Sequence, residues 1–148
     1  KKKKTCSTTP KKSIIASRTT HTTATNDGLG LRNVYLGEYL RVDGRVVSGA
    51  SLSDLVASAD ASVDEDLRAK LNASMVELGQ IKTAAEAGFS YDMMLERGNA
   101  EGEALIMGAV DALVGQTRAI ERAVTVLGGD EIAFEGSDSL DAPEAVFQ

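Results

Sequence analysis

Apolar residues recur at helical spacing over two long stretches of the chain. The first stretch steps by four and three residues and predicts an amphipathic helix over about residues 63–85. It consists of Val63, Leu67, Leu71, Met75, Leu78 and Ile81. The second stretch predicts a helix over about residues 100–127 and consists of Ile106, Val110, Leu113, Thr117, Ile120, Val124 and Leu127. We expect this last helix to be the most buried element, because small residues at 108, 109, 112 and 115 let a neighbouring helix approach closely.

Capping and turn residues divide the rest of the chain into shorter helices. Asn26 or Asp27 is predicted to begin the first helix, and Asp43-Gly44 ends it in a turn. Ser51 or Ser53 is predicted to cap a short helix that ends near Ala59. The remaining signals are a capping box at Ser62 and Glu65, a single turn begun by Ser90, a cap at Asn99 and a stop at Gly128-Gly129.

The amino-acid composition favours helices over strands. Aromatic residues make up 4% of the 148 residues, hydrophobic residues make up 43%, and there is no Trp. Strands depend on aromatic and β-branched side chains, so a core of Ala, Leu, Val, Ile and Met favours packed helices. A chain of this length is one domain or one half of a larger protein. The sequence therefore predicts an all-α fold, an antiparallel helical bundle or half of one.

Charge divides the chain into a basic head and an acidic body. Residues 1–20 hold seven of the 16 basic residues and no acidic one, so residues 21–148 carry a net charge of −13. The body is expected to repel nucleic acid. The head is typical either of a nucleic-acid arm or targeting signal, or of a disordered segment, and its Lys, Ser and Thr content favours disorder.

We therefore predict a basic disordered head over 1–25 and a helical domain over 26–148. Within that domain, residues 130–148 form an irregular acidic tail that Phe134, Leu140, Val146 and Phe147 pin to a surface.

Candidate chemistry is sparse. The single His and the single Cys exclude a zinc site built on two histidines and an intramolecular disulfide. Asp64-Glu65-Asp66 and the pair Glu101 and Glu103 are the densest acidic groups, and no His follows a Glu at the Glu-x-x-His spacing of di-iron bundles. We expect these acids to be solvated helix starts, and we predict neither catalytic residues nor metal ligands.

No run approaches the ~18 apolar residues of a membrane span, and no apolar segment follows the basic N-terminus as in an export signal.

The richest polar cluster on a predicted helix consists of Arg32, Asn33, Tyr35 and Tyr39. Leu31, Tyr35 and Tyr39 are spaced by four residues and would share one helix face. Such polar residues commonly make caps and hydrogen bonds between helices. The alternative is that these four residues face a ligand site or an interface.

The most distinctive run of the sequence is Asp27-Gly-Leu-Gly-Leu-Arg-Asn-Val-Tyr-Leu-Gly-Glu-Tyr39. This run carries a resemblance to the second half of the imelysin family, bacterial iron-regulated envelope proteins once described as metallopeptidases. It continues through Val42-Asp43-Gly44, Ser51-Leu-Ser-Asp-Leu-Val56, Leu67 and Leu71, Asn99-Ala-Glu-Gly102, Gln116-Thr117, Glu135-Gly-Ser-Asp-Ser-Leu-Asp-Ala-Pro143 and Val146-Phe-Gln148. The resemblance covers roughly residues 26–148.

The resemblance implies an all-α protein of two bundle-like halves, of which this chain is the second. It also implies a location in the periplasm or at the cell surface, and iron or another divalent metal in the intact protein. The family's proposed metal motif, Gly-x-His-x-x-Glu, belongs to the first half. It is absent here, because His21 has no Gly two residues before it and no Glu three residues after it. No cofactor is therefore expected in this chain alone.

The head departs from the family pattern in a way that has an explanation at the level of the gene. Before the matching helix the family usually has an acidic stretch followed by Cys-Phe-Ser-Asp-Asn-Thr-His, whereas this chain has Lys11-Lys-Ser-Ile-Ile-Ala-Ser-Arg-Thr-Thr-His21. Shifting the reading frame by one base permits each family residue in order, and it turns Lys codons into Glu codons. Our hypothesis is that residues 1 to about 25 are a frameshifted translation, which the nucleotide sequence tests.

Three functions follow as alternatives. The first is a partial imelysin-like protein that acts in iron or metal acquisition at the envelope. Its partner would be the missing first half, or a second copy through self-association. The second is the remnant of a metallopeptidase-type enzyme, and the third is a cytoplasmic helical interaction module whose basic head is genuine.

Overall fold

Five helices and one small β-hairpin make up the described part of the protein. The computed structural model describes the backbone from residue 11 to residue 129 and the side chains from residue 22 to residue 129. The elements are α1 (Lys11–Leu36), β1 (Glu38–Leu40), β2 (Val46–Ser48), α2 (Leu52–Ala59), α3 (Ala61–Glu86), α4 (Tyr91–Met94) and α5 (Ala100–Val126). The all-α prediction is confirmed. The predicted tail and its four apolar residues lie outside the described residues.

Helix α3 lies at the centre of the bundle and packs against α1, α2 and α5. Both long neighbours run antiparallel to it. Tyr35, near the end of α1, contacts Asp64 near the start of α3. Arg122, near the end of α5, contacts Asp66 near the start of α3. The short helices α2 and α4 close the two ends of the bundle, α2 beside the start of α3 and α4 beside the start of α5.

The core consists of two clusters, one at each end of α3. The cluster at the α2 end contains Tyr35, Val56, Leu67, Leu71, Ala119 and Ala123. The cluster at the α4 end contains Leu78, Ile81, Ala85, Met94, Ile106 and Ala109. Between them Ser74 is buried, and its hydroxyl oxygen lies 3.1 Å from the carbonyl oxygen of Lys70 and 3.2 Å from that of Ala112. The bundle therefore has a polar contact between α3 and α5 in the middle of an apolar seam.

The buried face of α5 is rotated relative to the predicted apolar stripe. Most of its buried residues lie one position before a predicted residue. Its buried residues are Gly102, Ile106, Ala109, Gln116, Ala119 and Ala123, whereas the predicted Leu113 is 37% exposed. Small residues in the seam let the α5 backbone approach α3, and the larger neighbouring side chains then lie on the flanks. The prediction that α5 is the most buried element is wrong, because α3 holds seven buried residues and α5 holds six. The expected close approach is seen at Ala112, whose carbonyl oxygen accepts a hydrogen bond from the Ser74 hydroxyl of α3, whereas Gly108 and Gly115 face side-chain atoms of Glu77 and Lys70.

Most predicted helix ends are confirmed. Ser51, Ser90 and Asn99 occupy N-cap positions, and the side chains of Ser51 and Asn99 accept a hydrogen bond from the first turn. The capping box at Ser62 is wrong. Asp60 caps α3 instead, because its carboxylate accepts hydrogen bonds from the backbone N–H groups of Ser62 and Val63. The side-chain and backbone hydrogen bonds from Ser62, followed by that from Val63, hold the pKa of Asp60 below its usual value.

Helix α1 begins and ends earlier than predicted. It begins at residue 11 and not at Asn26 or Asp27, so residues 11–25 of the predicted disordered head are helical, while residues 1–10 lie outside the described part. Once part of a helix is held by packing, each further residue adds one backbone hydrogen bond at little extra cost. The helix ends at Leu36 because Gly37 adopts a left-handed φ of 63°. Tyr39 therefore lies in β1 and not on the face of Leu31 and Tyr35.

Gly102 is the tightest glycine contact of the bundle and yields a stability prediction. A Cβ atom at Gly102 would lie 2.3 Å from the carbonyl oxygen of Met94, whereas one at Gly79 would meet nothing within 4 Å. Gly102→Ala is expected to lower the free energy of unfolding by about 1–3 kcal/mol or more, because backbone has to move. Gly79→Ala is expected to raise it by about 0.5–1 kcal/mol through helix propensity. Urea unfolding of both variants checks this, and equal effects would contradict the close α4–α5 contact.

Candidate functional site

A buried carboxylate joins three helices at the α2 end of the bundle. Asp64 is 6% exposed. One of its oxygens, Oδ1, accepts a hydrogen bond of 2.7 Å from the Tyr35 hydroxyl of α1 and one of 2.5 Å from the Ser53 hydroxyl of α2. The other, Oδ2, lies 3.7 Å from the guanidinium of Arg68, one turn further along α3. Asp64 is therefore hydrogen-bonded to hydroxyl groups of two neighbouring elements and paired with a cation of its own helix.

The prediction that Asp64 belongs to a solvated helix start is wrong. The buried residues of α3 are Asp64, Leu67, Leu71, Ser74, Leu78, Ile81 and Ala85, in alternating steps of three and four. This seam includes Asp64 in place of the predicted Val63. The spacing in the sequence was ambiguous, because Asp64 lies three residues before Leu67 and Val63 lies four residues before it, and both spacings fit one helix face. Ser53 was also missed, and nothing in its local pattern distinguishes it from Ser51.

The environment of Tyr35 raises the pKa of its phenol above the usual value near 10. Burial is the largest cause, because it disfavours the charged phenolate, and the hydrogen bond and negative charge of Asp64 act in the same direction. The hydrogen bond from Ser53 and the charge of Arg68 act in the opposite direction. Tyr35 is thus held as a neutral hydrogen-bond donor, which suits a positioning contact between α1 and α3.

Arg32 makes a second contact between α1 and α3. Its Nε donates a hydrogen bond of 3.1 Å to Oδ1 of Asn72, and both residues lie toward solvent. Arg32 and Tyr35 thus both make inter-helix hydrogen bonds, which was one of the two alternatives for the polar cluster.

Asn33, on another side of α1, and Tyr39, in β1, line a concavity between the end of α1 and the β-hairpin. Its volume is about 470 Å³, and its walls include Val34, Gly37 and Val47. Tyr39 is 57% exposed. The structure therefore does not bring the four predicted residues together, because Arg32 and Tyr35 face α3 while Asn33 and Tyr39 line the concavity beside the hairpin. The ligand or interface role of all four stays a prediction.

The hairpin beside this concavity is apolar and exposed. Its strands pair antiparallel, with Tyr39 opposite Val47 and Leu40 opposite Val46. All four side chains are more than half exposed, and so is Val42. At the tip, the guanidinium of Arg45 lies 2.8 Å from the Asp43 carboxylate, and hydrogen bonds from Arg45 hold the pKa of Asp43 below its usual value. The charged tip and backbone pairing hold the hairpin in shape while its apolar side chains face outward.

The described residues contain neither a set of metal ligands nor a membrane-spanning helix. Within the described residues, no three His, Cys, Asp or Glu side chains gather as a set of ligands that could hold a metal ion. The side chains of Cys6 and His21 lie outside that description. Of the described helices, none is both long and apolar enough to cross a membrane.

Comparison with known proteins places the described fold within a family. The family model Peptidase_M75, described as Imelysin, matches residues 12–120 of the 148. No curated protein matches the chain. The match begins within the segment that we interpret as frameshifted, and that interpretation stays a prediction.

Removal of the Tyr35 hydroxyl tests the buried carboxylate. Tyr35→Phe leaves Asp64 buried with one hydroxyl donor fewer, so we expect the free energy of unfolding to fall by about 1–3 kcal/mol. Tyr39→Phe removes the same hydroxyl from an exposed side chain and is expected to change stability by less than about 0.5 kcal/mol. Chemical unfolding of the two variants measures the difference. Equal losses would show that Asp64 does not depend on Tyr35.

The raised pKa of Tyr35 predicts a loss of stability at alkaline pH. In the unfolded chain a tyrosine ionises near pH 10, whereas folded Tyr35 keeps its proton to higher pH. The contribution is therefore fully present below about pH 10 and is lost as the pH rises above that value. We expect Tyr35→Phe to lose less stability than the parent between about pH 9 and pH 11, and Tyr39→Phe to behave like the parent. Melting curves across this range check the prediction, and parallel losses in all three proteins would refute it.

Proposed function

Because the chain belongs to the imelysin family, we propose that it is the second helical half of an imelysin-like protein that acts in the acquisition of iron or another metal at the bacterial cell envelope. The single observation that carries this proposal is the family match over residues 12–120. The envelope location is part of the proposal and follows the resemblance of the sequence to this family.

In this proposal the metal ligands come from the first half, where the family has its Gly-x-His-x-x-Glu motif. The second half contributes a rigid bundle and a surface on which the first half packs. The buried contact between Tyr35 and Asp64 supports the rigidity, since it fixes the last turn of α1 on α3. The hairpin follows that turn directly, so the same contact fixes its position.

The surface that we assign to the first half is the hairpin and the concavity beside it. Tyr39, Leu40, Val42, Val46 and Val47 are exposed apolar residues on a short segment, and monomers rarely expose such contiguous groups. Asn33 adds a polar side chain at the wall of the concavity. None of these side chains belongs to the two core clusters, so their apolar character is not needed for the packing of this bundle. An apolar patch with a polar group beside it is typical of a protein interface.

Reconstitution tests this proposal. The full chain is titrated calorimetrically with Fe²⁺ and Zn²⁺, alone and after mixing with an imelysin first half that carries the Gly-x-His-x-x-Glu motif. We expect weak or no metal binding by the chain alone, complex formation with the first half, and metal binding by the complex. Tight metal binding by the chain alone, or no association with the first half, would contradict the proposal.

A matched pair of variants locates the surface. Val47→Asp introduces a charge on the hairpin at a residue that is 51% exposed, and Val76→Asp does so on α3 at a residue that is 58% exposed. We expect Val47→Asp to weaken association at least tenfold and Val76→Asp to leave it unchanged. Hydrolysis of peptides by the complex would instead support the metallopeptidase alternative, and recovery of the native protein in the cytoplasmic fraction would support the interaction module.

A further inference from the structure

Two apolar cavities lie one after the other between α1 and α5, which both pack on α3. The first is a groove of about 220 Å³ between α1, α2 and the end of α5, and Leu31 and Val124 are among its wall residues. The second has a volume of about 170 Å³ and lies beside α4, with Ala24 and Val110 in its walls. We call the two cavities together the α1–α5 cleft. Buried residues of α3 form its floor, namely Leu67, Leu71, Leu78 and Ile81.

The cleft has the length and the lining that suit a further helix. On α5 its lining residues run from Ile106 to Leu127, which at 1.5 Å per residue of helix is about 30 Å. Three leucines in its walls, Leu31, Leu113 and Leu127, are between 37% and 41% exposed, so the bundle leaves this apolar surface partly uncovered. A helix laid along α1 and α5 would complete a four-helix arrangement around the core.

The charged residues that stand beside the cleft on α1 and α5 are acidic. Asp27 lies four residues before the wall residue Leu31 and therefore shares its face of α1. Glu103 lies seven residues before Val110 and Glu121 lies eleven residues after it, so both share the face of this wall residue on α5. Each long wall of the cleft thus has at least one carboxylate at its rim.

The basic residues of the same two helices lie on other sides. Arg32 donates its hydrogen bond to Asn72 on an exposed side of α3. Arg122 pairs with Asp66 of α3, and Arg118 lies one turn before it. Arg118 and Arg122 are each two residues from the wall residue Ile120, which places both on the opposite side of α5. Among the described side chains of α1 and α5, no Lys or Arg therefore lies beside the cleft.

We propose that the α1–α5 cleft docks an amphipathic helix of a partner protein, with an apolar stripe flanked by Lys and Arg residues. The apolar stripe fills the two cavities, as in other complexes in which a helix binds a groove. The basic flanks face Asp27, Glu103 and Glu121, and this charge complementarity selects the partner. A second copy of the chain is a poor occupant, because a two-fold symmetric pairing brings the same acidic rims of the two copies together. The proposal does not depend on the proposed function, since it concerns neither the hairpin nor a metal.

Binding of designed peptides to the full chain tests the proposal. The probe is a fluorescein-labelled helical peptide of about 20 residues, with Leu at heptad positions a and d and Lys at positions e and g. The control peptide has Glu in place of Lys. We expect the Lys peptide to bind at least tenfold more tightly than the Glu peptide at low salt, and the difference to shrink as salt is added. Equal affinities of the two peptides, or no binding of the Lys peptide, would overturn the proposal.

A pair of charge reversals shows whether the acidic rim selects the peptide. Glu121→Lys reverses a charge beside the cleft, and Asp111→Lys does so at an exposed residue two positions before Leu113, on the other side of α5. We expect Glu121→Lys to weaken binding of the Lys peptide severalfold and to strengthen binding of the Glu peptide. Asp111→Lys is expected to leave both affinities unchanged. Equal effects of the two reversals would show that the rim does not contact the peptide.

A second pair of variants tests the apolar wall. Leu31→Ser shortens a wall residue of the cleft, and Leu95→Ser does so at a leucine of similar exposure at the end of α4. We expect only Leu31→Ser to weaken binding of the Lys peptide, by severalfold, with both variants folded by circular dichroism. Sedimentation of the chain alone identifies the other occupant. A dimer that Leu31→Ser dissociates and Leu95→Ser does not would assign the cleft to a second copy and overturn the proposal.

Discussion

The buried carboxylate of Asp64 is the constraint on which the packing at the α2 end of the bundle depends. A carboxylate removed from water needs hydrogen-bond donors, and here the hydroxyl groups of Tyr35 and Ser53 supply them from two other helices. α1, α2 and α3 can therefore pack at this end only in the arrangement that brings these groups together. Because α1 ends one residue after Tyr35, the same contact determines where the hairpin and its concavity lie.

The small residues in the α3–α5 seam determine how closely these two helices pack. Ala109, Ala119 and Ala123 bring the two backbones close, so little of the volume between them is filled by large side chains. The larger apolar residues near the end of α5, such as Val124 and Leu127, then lie beside the seam. They line an apolar groove between α1, α2 and the end of α5. The groove is thus a direct consequence of a narrow seam.

Two apolar surfaces result, and Val34 separates them, since it lines both the groove and the hairpin concavity. The groove lies between α1, α2 and the end of α5. The hairpin projects outward on a base that the Tyr35–Asp64 contact fixes, and it is the surface that we propose for the first half.

The caps and the helix spacing show what was predictable from local sequence. Ser51, Asn99 and Gly128-Gly129 act through hydrogen bonds to residues within one turn, and the ends of α2 and α5 were accordingly predicted correctly. The start of α1 was not predicted correctly, because the distance over which a helix extends depends on what holds its other end. The end of α1 was missed as well, because a glycine within an apolar pattern does not reveal its φ angle.

For the candidate site too, one part followed from the sequence and another part only from the tertiary structure. The sequence by itself determined an all-α bundle and a polar cluster of Arg32, Asn33, Tyr35 and Tyr39, because these follow from residue type and spacing. Only the structure showed that Arg32 and Tyr35 are the two that join helices. Only the tertiary structure decided that Asp64 is buried, that Leu113 lies toward solvent and that Asn33 and Tyr39 line the concavity beside the hairpin. An apolar stripe on a helix is compatible with several rotations about its axis. The rotation that forms is the one in which small residues permit the closest approach and the buried carboxylate reaches its two donors.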